Sequence, residues 1–358
     1  MRPESLEFFR TLTEAPSPSG YEQPAAGVLR DYLRPFTDQV STNVMGSVHG
    51  HMRGSDAERG GKRVSVLLAG HIDEIGMMVT YITDEGYIAF KPIGGVDEAV
   101  LPGMRVKVHT EEGPLLGILG RLPIHLLDEE ERKSVTKTHK LFIDLGMKAE
   151  RVKSTVRIGD PITFAVGFEE FGDNMIVARA LDDKMGAFIC AETAREVRER
   201  GGAKVDLVVA GTVQEESGLR GGITTAYEID PTVGIALEVG HATDYPDVDK
   251  RKHGEVACGK GPIIARGPNI NPVVFKMLVE AARSSDIPHQ LGGEPRGTGT
   301  DANAFQLARG GKAAGLISVP LRYMHTPVEA LAISDVEAAV KLLAEFVLRL
   351  DPDTDFTP

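Results

Sequence analysis

The amino-acid sequence predicts a three-layer α/β sandwich with a smaller β-rich unit inserted into it. Apolar segments typical of buried strands, at 63–70, 205–211, 233–237 and 313–319, alternate with stretches of helical spacing. From about 76 to 168 the pattern changes to short alternating runs with frequent glycines, which is typical of a small all-β module.

The remaining elements follow from apolar periodicity and from the residues that interrupt it. We predict helices at about 6–12, 22–34, 183–200, 272–285 and 334–350, and a first strand near 39–49. Asp182 is placed near the N-cap of the third helix. The chain is thereby divided into a larger domain, residues 1–74 and 169–358, and an inserted β-rich domain, residues 75–168.

Composition and charge exclude several classes of partner. The net charge of −12 argues against nucleic acid and against an anionic membrane surface, because both need a clustered basic face. No apolar run approaches the ~20 residues that span a bilayer, and the start of the chain lacks an apolar signal core, so we expect a cytoplasmic protein. Cys190 and Cys258 stand in no metal or redox spacing and are predicted to be free, buried thiols.

Side chains that bind metals follow the predicted strands at the points where they end. They are His71 and Asp73, Asp182 and Asp183, Glu215 and Glu216, Glu238, and His325. Because the carboxyl ends of strands in an open α/β sheet meet in one crevice, we expect these residues to converge. A mixture of imidazole and carboxylate groups suits a divalent cation.

The charges of this set favour two ions rather than one. Three ligating carboxylates and two neutral histidines carry about −3 against +4, so a bridging hydroxide would leave the centre near neutral. That hydroxide would be the nucleophile of a hydrolase, and the two metals would polarise the scissile carbonyl. A carboxylate that is not a ligand would move the proton from water to the leaving amine.

Each residue also has a plainer interpretation. A single histidine at a strand end is more often a satisfied polar residue than a ligand. The pair Glu215 and Glu216 could equally lie in a solvated loop, and Asp182 could simply cap its helix. The repetition of His, Asp or Glu at several strand ends favours the metal site.

Long motifs surround these residues: AGHIDEIG at 69–76, RALDDK at 179–184, TVQEESGLRGG at 212–222 and YMHTPVE at 323–329. Supporting stretches are PSPSGYE at 16–22, PIHLL at 123–127 and LFIDLG at 141–146. Together they resemble the TET-type (tetrahedral) aminopeptidases, also called glutamyl or deblocking aminopeptidases. The resemblance runs through nearly the whole chain, and it implies a phosphorylase/hydrolase-like metallopeptidase domain acting on peptide N-termini.

The resemblance also implies a ligand set. His71, Asp182 and Glu238 would hold one ion, and Asp182, Glu216 and His325 would hold the other, with Asp182 as the bridge. Zinc is expected, and cobalt and manganese are also compatible with these ligands. Family members often carry Asp where Glu238 stands, so the longer side chain could alter the affinity or metal preference of that ion.

Further roles are implied outside the ligand set. Glu215 would be the general base, and Asp73 would orient His71 from the same side of an extended strand. Thr300 and Asp301, in a loop near the site in relatives, are candidates for substrate contact. The insert would be a dimerisation domain, and the dimers would assemble into a hollow dodecamer with inward-facing sites.

Three other functions stay open at this point. Another cocatalytic metal exopeptidase or deacylase could share the metal core, although the position of the insert between His71 and Asp182 favours the aminopeptidases. A glycoside hydrolase of the endoglucanase type needs two carboxyl groups, but it gives no reason for two histidines. A non-catalytic metal-binding protein would not need a spare carboxylate such as Glu215.

Overall fold

The structure, a computed structural model, describes residues 1–60 and 62–358. Helices α1 to α10 are Pro3–Glu14, Gln23–Leu33, Glu129–Lys133, Ala149–Thr155, Leu181–Glu199, Arg220–Ile229, Lys250–His253, Pro272–Ser284, Asp301–Gln306 and Ile333–Arg349. Strands β1 to β19 are Gln39–Thr42, Val48–Met52, Glu58–Arg59, Lys62–Arg63, Ser65–His71, Gly76–Ile82, Ile88–Ile93, Arg105–Thr110, Gly113–Gly120, Phe142–Asp144, Pro161–Phe164, Glu169–Glu170, Met175–Ala178, Asp206–Thr212, Val233–His241, Ile263–Arg266, Gln290–Gly293, Ala313–Arg322 and Glu329–Ala332.

Most strands belong to one large mixed sheet. Its order is β1-β2-β14-β5-β15-β18-β19-β13-β12, and β16 and β17 extend it beside β18. The central strands β14, β5, β15 and β18 run parallel, whereas β2 and β19 pair with them in the antiparallel sense. The residues that follow the four parallel strands therefore meet at one edge of the sheet.

Helices cover both faces of this sheet, so alternate residues of its central strands enter different cores. In β5, Val66 packs in a core that includes Phe188 of α5. The next residue, Leu67, packs in a second core with Ala226 of α6 and Phe305 of α9. A strand buried on both faces reads as a continuous apolar run, which is how β5 appears in the sequence. The predicted three-layer α/β/α sandwich is confirmed.

The long predicted elements are present with ends shifted by a few residues, but the single strand expected near 39–49 is wrong. This segment forms the antiparallel hairpin β1–β2. Its turn is closed by Asn43, whose side-chain oxygen accepts hydrogen bonds from the N–H groups of Met45, Gly46 and Ser47. Such an Asx-type turn interrupts a run that otherwise has strand character.

Strands β6 to β11 form a closed antiparallel barrel with the order β10-β7-β6-β11-β8-β9. The barrel has a hydrophobic core of its own, and the buried members of that core all lie between Ile75 and Phe164. The expectation of an all-β module is wrong in one respect, because the segment also contains α3 and α4. Val152 of α4 packs into the barrel core, and a helix of seven residues is too short to give a clear helical period.

Two further sequence-based expectations can be compared with the fold. Among the described residues, none of the helices has the length and apolar character needed to cross a bilayer. Both cysteines are free, as predicted; Cys190 is buried, whereas Cys258 is only partly buried.

Candidate metal centre and active site

The candidate site lies at the carboxyl edge of the parallel strands. The structure brings together the six side chains that the sequence analysis assigned to metal binding and proton transfer: His71, Asp182, Glu215, Glu216, Glu238 and His325. They come from the ends of β5 and β15, the loops after β14 and β18, and the start of α5.

Close packing of α5 against β5 places Asp182 beside His71. A Cβ atom at Gly70 would lie 2.3 Å from the main-chain carbonyl carbon of Gly186, so only glycine permits this approach. The Asp182–Asp183 peptide bond is cis.

Asp182 lies between the two histidines. Its Oδ1 atom is 3.2 Å from Nε2 of His71, and its Oδ2 atom is 3.4 Å from Nε2 of His325. Glu216 Oε1 is also 3.4 Å from Nε2 of His325, while Glu238 Oε2 is 3.9 Å from Nε2 of His71. A carboxylate that presents one oxygen to each imidazole has the geometry of a bridging group.

Potential ligand atoms also gather in two compact groups. The first contains His71, Glu215 and Glu238, and within it the ligand atoms lie within 4.8 Å of one another. The second contains Asp182, Glu216 and His325 under the same limit. The first group thus includes Glu215 where the resemblance implies Asp182. We favour Asp182 as the shared group because it is the carboxylate that faces both histidines.

Asp73 contacts His71 and also supports the following glutamate loop. The imidazole of His71 donates from Nδ1 to the main-chain carbonyl of Asp73 at 3.1 Å, and the Asp73 carboxylate is 3.4 Å from the same nitrogen. The carboxylate also accepts the N–H groups of Glu215 at 3.0 Å and Glu216 at 3.1 Å. Asp73 therefore contacts the imidazole and also fixes the backbone of the two glutamates.

The sequence analysis did not assign a role to Glu329, although this residue closes the motif YMHTPVE. Its buried carboxylate accepts the N–H of Asp182 at 3.0 Å and the N–H of His325 at 3.1 Å. It therefore joins two site residues that are far apart in the chain. The occurrence of a carboxylate inside the apolar run VEALAI, residues 328–333, was the available signal.

Asp183, not Asp182, has the contacts of a helix cap. Both residues have non-helical backbone angles within the segment assigned to α5. Asp183 Oδ1 accepts the N–H of Gly186, three residues onward, at 3.1 Å, and Oδ2 accepts the N–H of His71 at 3.1 Å. Asp182 lies near the start of the helix, as predicted, but the plainer interpretation that it simply caps the helix is wrong, because its side chain faces the histidines.

The loop after β7 brings the barrel to the site. The main-chain carbonyl of Gly95 accepts a hydrogen bond from Nδ1 of His325 at 3.0 Å. A Cβ atom at Gly94 would lie 3.1 Å from Oε2 of Glu216, and one at Gly95 would lie 2.8 Å from Nδ1 of His325. The absence of side chains at both positions therefore allows the close approach.

Burial and repulsion between neighbouring carboxylates raise the pKa values of the two loop glutamates. Burial, together with Asp301 and Glu216, raises the pKa of Glu215 to about 8. Burial and the charge of Asp182 raise the pKa of Glu216 to about 7. The hydrogen bond to Asp182 raises the pKa of His325 to about 9. If all of these carboxyl groups were ionised, the site would carry more negative charge than its two imidazoles could balance.

The donor set fits divalent metal ions. Among the side chains that the structure describes, which do not include those of residues 59 and 62, no lysine or arginine lies within ion-pair distance of Asp182, Glu215, Glu216 or Glu238. Buried carboxylates are normally paired or coordinate a metal. Imidazole and carboxylate donors in two adjacent groups meet this requirement without a cationic side chain.

The two candidate substrate contacts differ in accessibility. Thr300 is partly exposed, whereas Asp301 is 1% exposed. Asp301 accepts a hydrogen bond from the Thr212 hydroxyl at 2.7 Å, and its second oxygen has no partner among the described residues. Asp301 is therefore buried against Thr212 at the end of β14, and its charge raises the pKa of Glu215.

Taken with the three-layer fold, this donor set is typical of metal-dependent hydrolases. The family described as M42 glutamyl aminopeptidase matches residues 50–342. The lysyl aminopeptidase of Pyrococcus furiosus is 35% identical over 98% of this chain and 99% of that protein.

Solved structures are similar over the same extent. A TET aminopeptidase from a marine sediment Thaumarchaeota archaeon has a TM-score of 0.91 and 35% identity, with 97% of each chain covered. The TET1 peptidase of Pyrococcus horikoshii, which can assemble into a tetrahedron or a large octahedral shell, has a TM-score of 0.83 and 31% identity over 97% of this chain and 100% of that one. The chain belongs to the M42 glutamyl aminopeptidase family, whose members are metallopeptidases that hydrolyse peptides.

Proposed function

We propose that this protein is an aminopeptidase that releases single residues from the N-terminus of peptides with the help of two divalent metal ions. The observation that carries the proposal is the position of Asp182 between His71 and His325, each of which has a further acidic group nearby. Two donor groups that share one carboxylate suit a pair of adjacent ions.

Five side chains would hold the ions. His71, Asp182 and Glu238 are proposed for one ion, and Asp182, Glu216 and His325 for the other. Zinc is the ion we propose, and cobalt and manganese suit the same donors. When bound, such a pair of ions activates water and polarises the scissile carbonyl.

Glu215 is proposed as the general base. Its carboxylate is 3.8 Å from Nε2 of His71, and its pKa is raised by burial to about 8. A carboxyl group with a pKa near neutrality can both accept a proton and give it back. Glu215 would take a proton from the attacking water and deliver it to the nitrogen of the leaving peptide.

The charge of the site favours a substrate with a free amino group. A carboxypeptidase needs a cationic group that pairs with the substrate carboxylate. The described residues place no lysine or arginine against the site carboxylates, whereas Glu215, Glu216 and Asp301 add negative charge. A glycoside hydrolase would leave the two histidines without a role.

The decisive experiment compares the parent protein with Glu215→Gln, each reconstituted with zinc. The parent should release N-terminal residues from unblocked peptides but not from N-acetylated peptides, and a chelator should abolish the reaction. Glu215→Gln should lower kcat by roughly 10³-fold, because the proton acceptor is lost, and should keep its zinc content.

Two results would contradict this proposal. Loss of both metal ions in Glu215→Gln would make Glu215 a ligand rather than the base. Cleavage of soluble cellulose, or release of the acyl group from acetylated peptides in preference to residues from free peptides, would replace the aminopeptidase by one of the other hydrolases.

The chain is also proposed to consist of a metallopeptidase domain, residues 1–74 and 169–358, and an inserted dimerisation domain, residues 75–168. Support comes from the closed barrel, which has its own core. Large apolar side chains on the barrel and the segment that follows β9 are more than half exposed: Leu116, Ile118, Leu122, Ile124 and Leu126. Such a surface suits contact with a second copy, and the assembly of such dimers into a dodecamer is part of the proposal.

A further inference from the structure

The loop that carries Glu215 and Glu216 is fixed by two carboxylates that lie outside it. The N–H of Gln214 donates to Oε1 of Glu22 at 3.2 Å. The next two N–H groups, of Glu215 and Glu216, donate to the two oxygens of Asp73 at 3.0 and 3.1 Å. Three successive peptide groups are thus held by two buried acceptors.

The backbone of this loop requires such support. Gln214 has a φ of +54°, in the left-handed region that residues with side chains adopt rarely. A backbone of this kind persists when the surrounding contacts over-determine it. The three N–H groups would also lose their hydrogen bonds if the acceptors were removed, at a site that is only partly open to water.

Both acceptors depend on one N-terminal segment, residues 15–22, which we call the strap. Glu22 belongs to the strap and also accepts the N–H of Gly20 at 2.7 Å. Ser19 donates its hydroxyl hydrogen to the Oδ2 atom of Asp73. The strap therefore supplies one acceptor directly and orients the other.

The strap is itself anchored by buried charges that the proposed chemistry does not use. Glu74 Oε1 accepts the N–H of Ser17 at 2.8 Å, and the same carboxylate pairs with Arg179 and Lys184. At the other end, the hydroxyl of Tyr21 donates to the main-chain carbonyl of Gly159 at 2.7 Å. These contacts fix the strap to the sandwich and to the barrel at once.

We propose that the strap is a positioning device for the catalytic loop, in which Glu22 and Ser19 set the backbone that aims Glu215 and Glu216. This inference rests on the proposed function, because it gives Glu215 the role of base and Glu216 that of ligand. Neither strap residue is assigned a contact with substrate. Their effect passes through the main chain of the loop.

The test compares the parent with Glu22→Ala and Glu22→Gln, and uses Glu14→Ala as a matched control. Gln keeps a side-chain oxygen that can accept the N–H of Gln214, whereas Ala removes it. Glu14 also accepts a main-chain N–H, from Phe168, but does not contact the loop. The readouts are kcat and KM on an unblocked peptide, zinc affinity of the metal-free protein by calorimetry, and thermal unfolding.

Glu22→Ala should lower kcat by roughly 10- to 100-fold with little change in KM, and should weaken zinc binding by about 10-fold. Glu22→Gln should stay within about threefold of the parent, and Glu14→Ala should match the parent. If Glu22→Ala does not fold, Ser19→Ala should show the same loss of kcat and zinc affinity, because Asp73 loses the hydroxyl that orients it.

Parent-like kcat and zinc affinity in Glu22→Ala, or an equal loss in Glu22→Gln and Glu22→Ala, would overturn the strap proposal. Failure of the proposed function would look different. In that case the parent itself would release no residues from unblocked peptides, and the zinc affinities of the strap variants would still decide the positioning role.

Discussion

At the scale of single residues, the second histidine is the side chain that completes a donor group for a second ion. His325 is the more exposed of the two histidines, and the only contacts that hold its ring among the described groups are Asp182, Glu216 and the carbonyl of Gly95. Without it, the second donor group would contain only carboxylates. A single imidazole at His71 would then serve one ion.

Substitution of His325 by alanine should therefore remove one ion selectively. We expect His325→Ala to lose about half of the bound zinc and nearly all aminopeptidase activity, because a ligand is removed from one of two sites. Metal analysis after dialysis measures the loss. His253→Ala, which changes an exposed histidine of α7, is the matched control and should keep both ions.

Full zinc content in His325→Ala would contradict the assignment of this histidine as a ligand. Loss of both ions would instead indicate that the two donor groups bind metal only together, through the shared carboxylate of Asp182.

The chemistry-bearing residues were predictable, whereas their supports were not. Histidines and carboxylates at the ends of apolar strands stand out in the sequence, and the parallel topology brings them together. Glu329 and Glu22 bind main-chain N–H groups, which every residue but proline offers, so their partners cannot be recognised from residue types. The sequence analysis linked Asp73 only to His71. The hydrogen bonds of its carboxylate to the N–H groups of Glu215 and Glu216 could not be foreseen, because these partners too are main-chain groups.

At the scale of elements, a buried charge cluster joins the end of β5 to the start of α5. Glu74 is fully buried and pairs with Arg179 and with Nζ of Lys184, the latter at 3.1 Å. Burial alone would raise the pKa of Glu74, but the two cations outweigh it and lower the pKa to about 2. Removing one partner from such a cluster leaves uncompensated buried charge.

Glu74→Gln should lower the free energy of unfolding by about 3 kcal/mol at pH 7, because Arg179 and Lys184 lose their carboxylate. The folded-state pKa of Glu74 lies below the unfolded value of about 4.3, so this stabilisation is complete above that pH and is lost as the pH falls towards 2. Urea unfolding of both proteins in the presence of a chelator, at pH 7 and at pH 4, measures the difference.

The gap between parent and Glu74→Gln should therefore be smaller at pH 4 than at pH 7. Glu129→Gln is the matched control, because Glu129 forms a solvent-exposed ion pair with Lys133. This change should lower the free energy of unfolding by less than about 1 kcal/mol. An equal cost for both substitutions would show that the buried cluster contributes no more than a surface pair.

The loop between β7 and β8 links the barrel to the site through Gly95. We expect Gly95→Ala to weaken zinc binding by about 10-fold, because the added methyl group would lie 2.8 Å from Nδ1 of His325 and must displace the ring or the loop. Gly310→Ala, where a Cβ meets no atom within 4 Å, is the control for calorimetry. Parent-like affinity in Gly95→Ala would mean that the loop yields without moving His325.

Helices with a long and regular apolar pattern were predicted correctly from the sequence, whereas short or irregular ones were missed. The long helices α5 and α10 were recognisable because their periodicity extends over several turns. Helix α6 was missed since it contains Gly221 and Gly222 beside β-branched residues, and α9 since it has only six residues. These two short helices nevertheless pack on the second face of the sheet, so their roles come from tertiary contacts.

At the scale of the whole molecule, the distribution of exposed apolar side chains is uneven. Leu116 and Ile118 point outward from β9, in alternation with the buried residues Gly117 and Leu119. Ile124 and Leu126 follow in the next segment, and all four large side chains are more than half exposed. A group of this kind on a peptidase with a net charge of −12 is a candidate for contact with another protein surface.

We therefore expect the molar mass of the parent protein, measured by light scattering, to exceed the 38.5 kDa of a single chain. Ile118→Glu should lower the measured mass towards that of the single chain. The substitution places a charge where two apolar surfaces would meet, and an unpaired charge in a contact that excludes water is costly. Val44→Glu changes a fully exposed apolar residue on the sandwich domain and should leave the mass unchanged. A parent that scatters as a single chain at working concentration would contradict the dimerisation role of the barrel, and an unchanged mass in Ile118→Glu would place the contact elsewhere on the molecule.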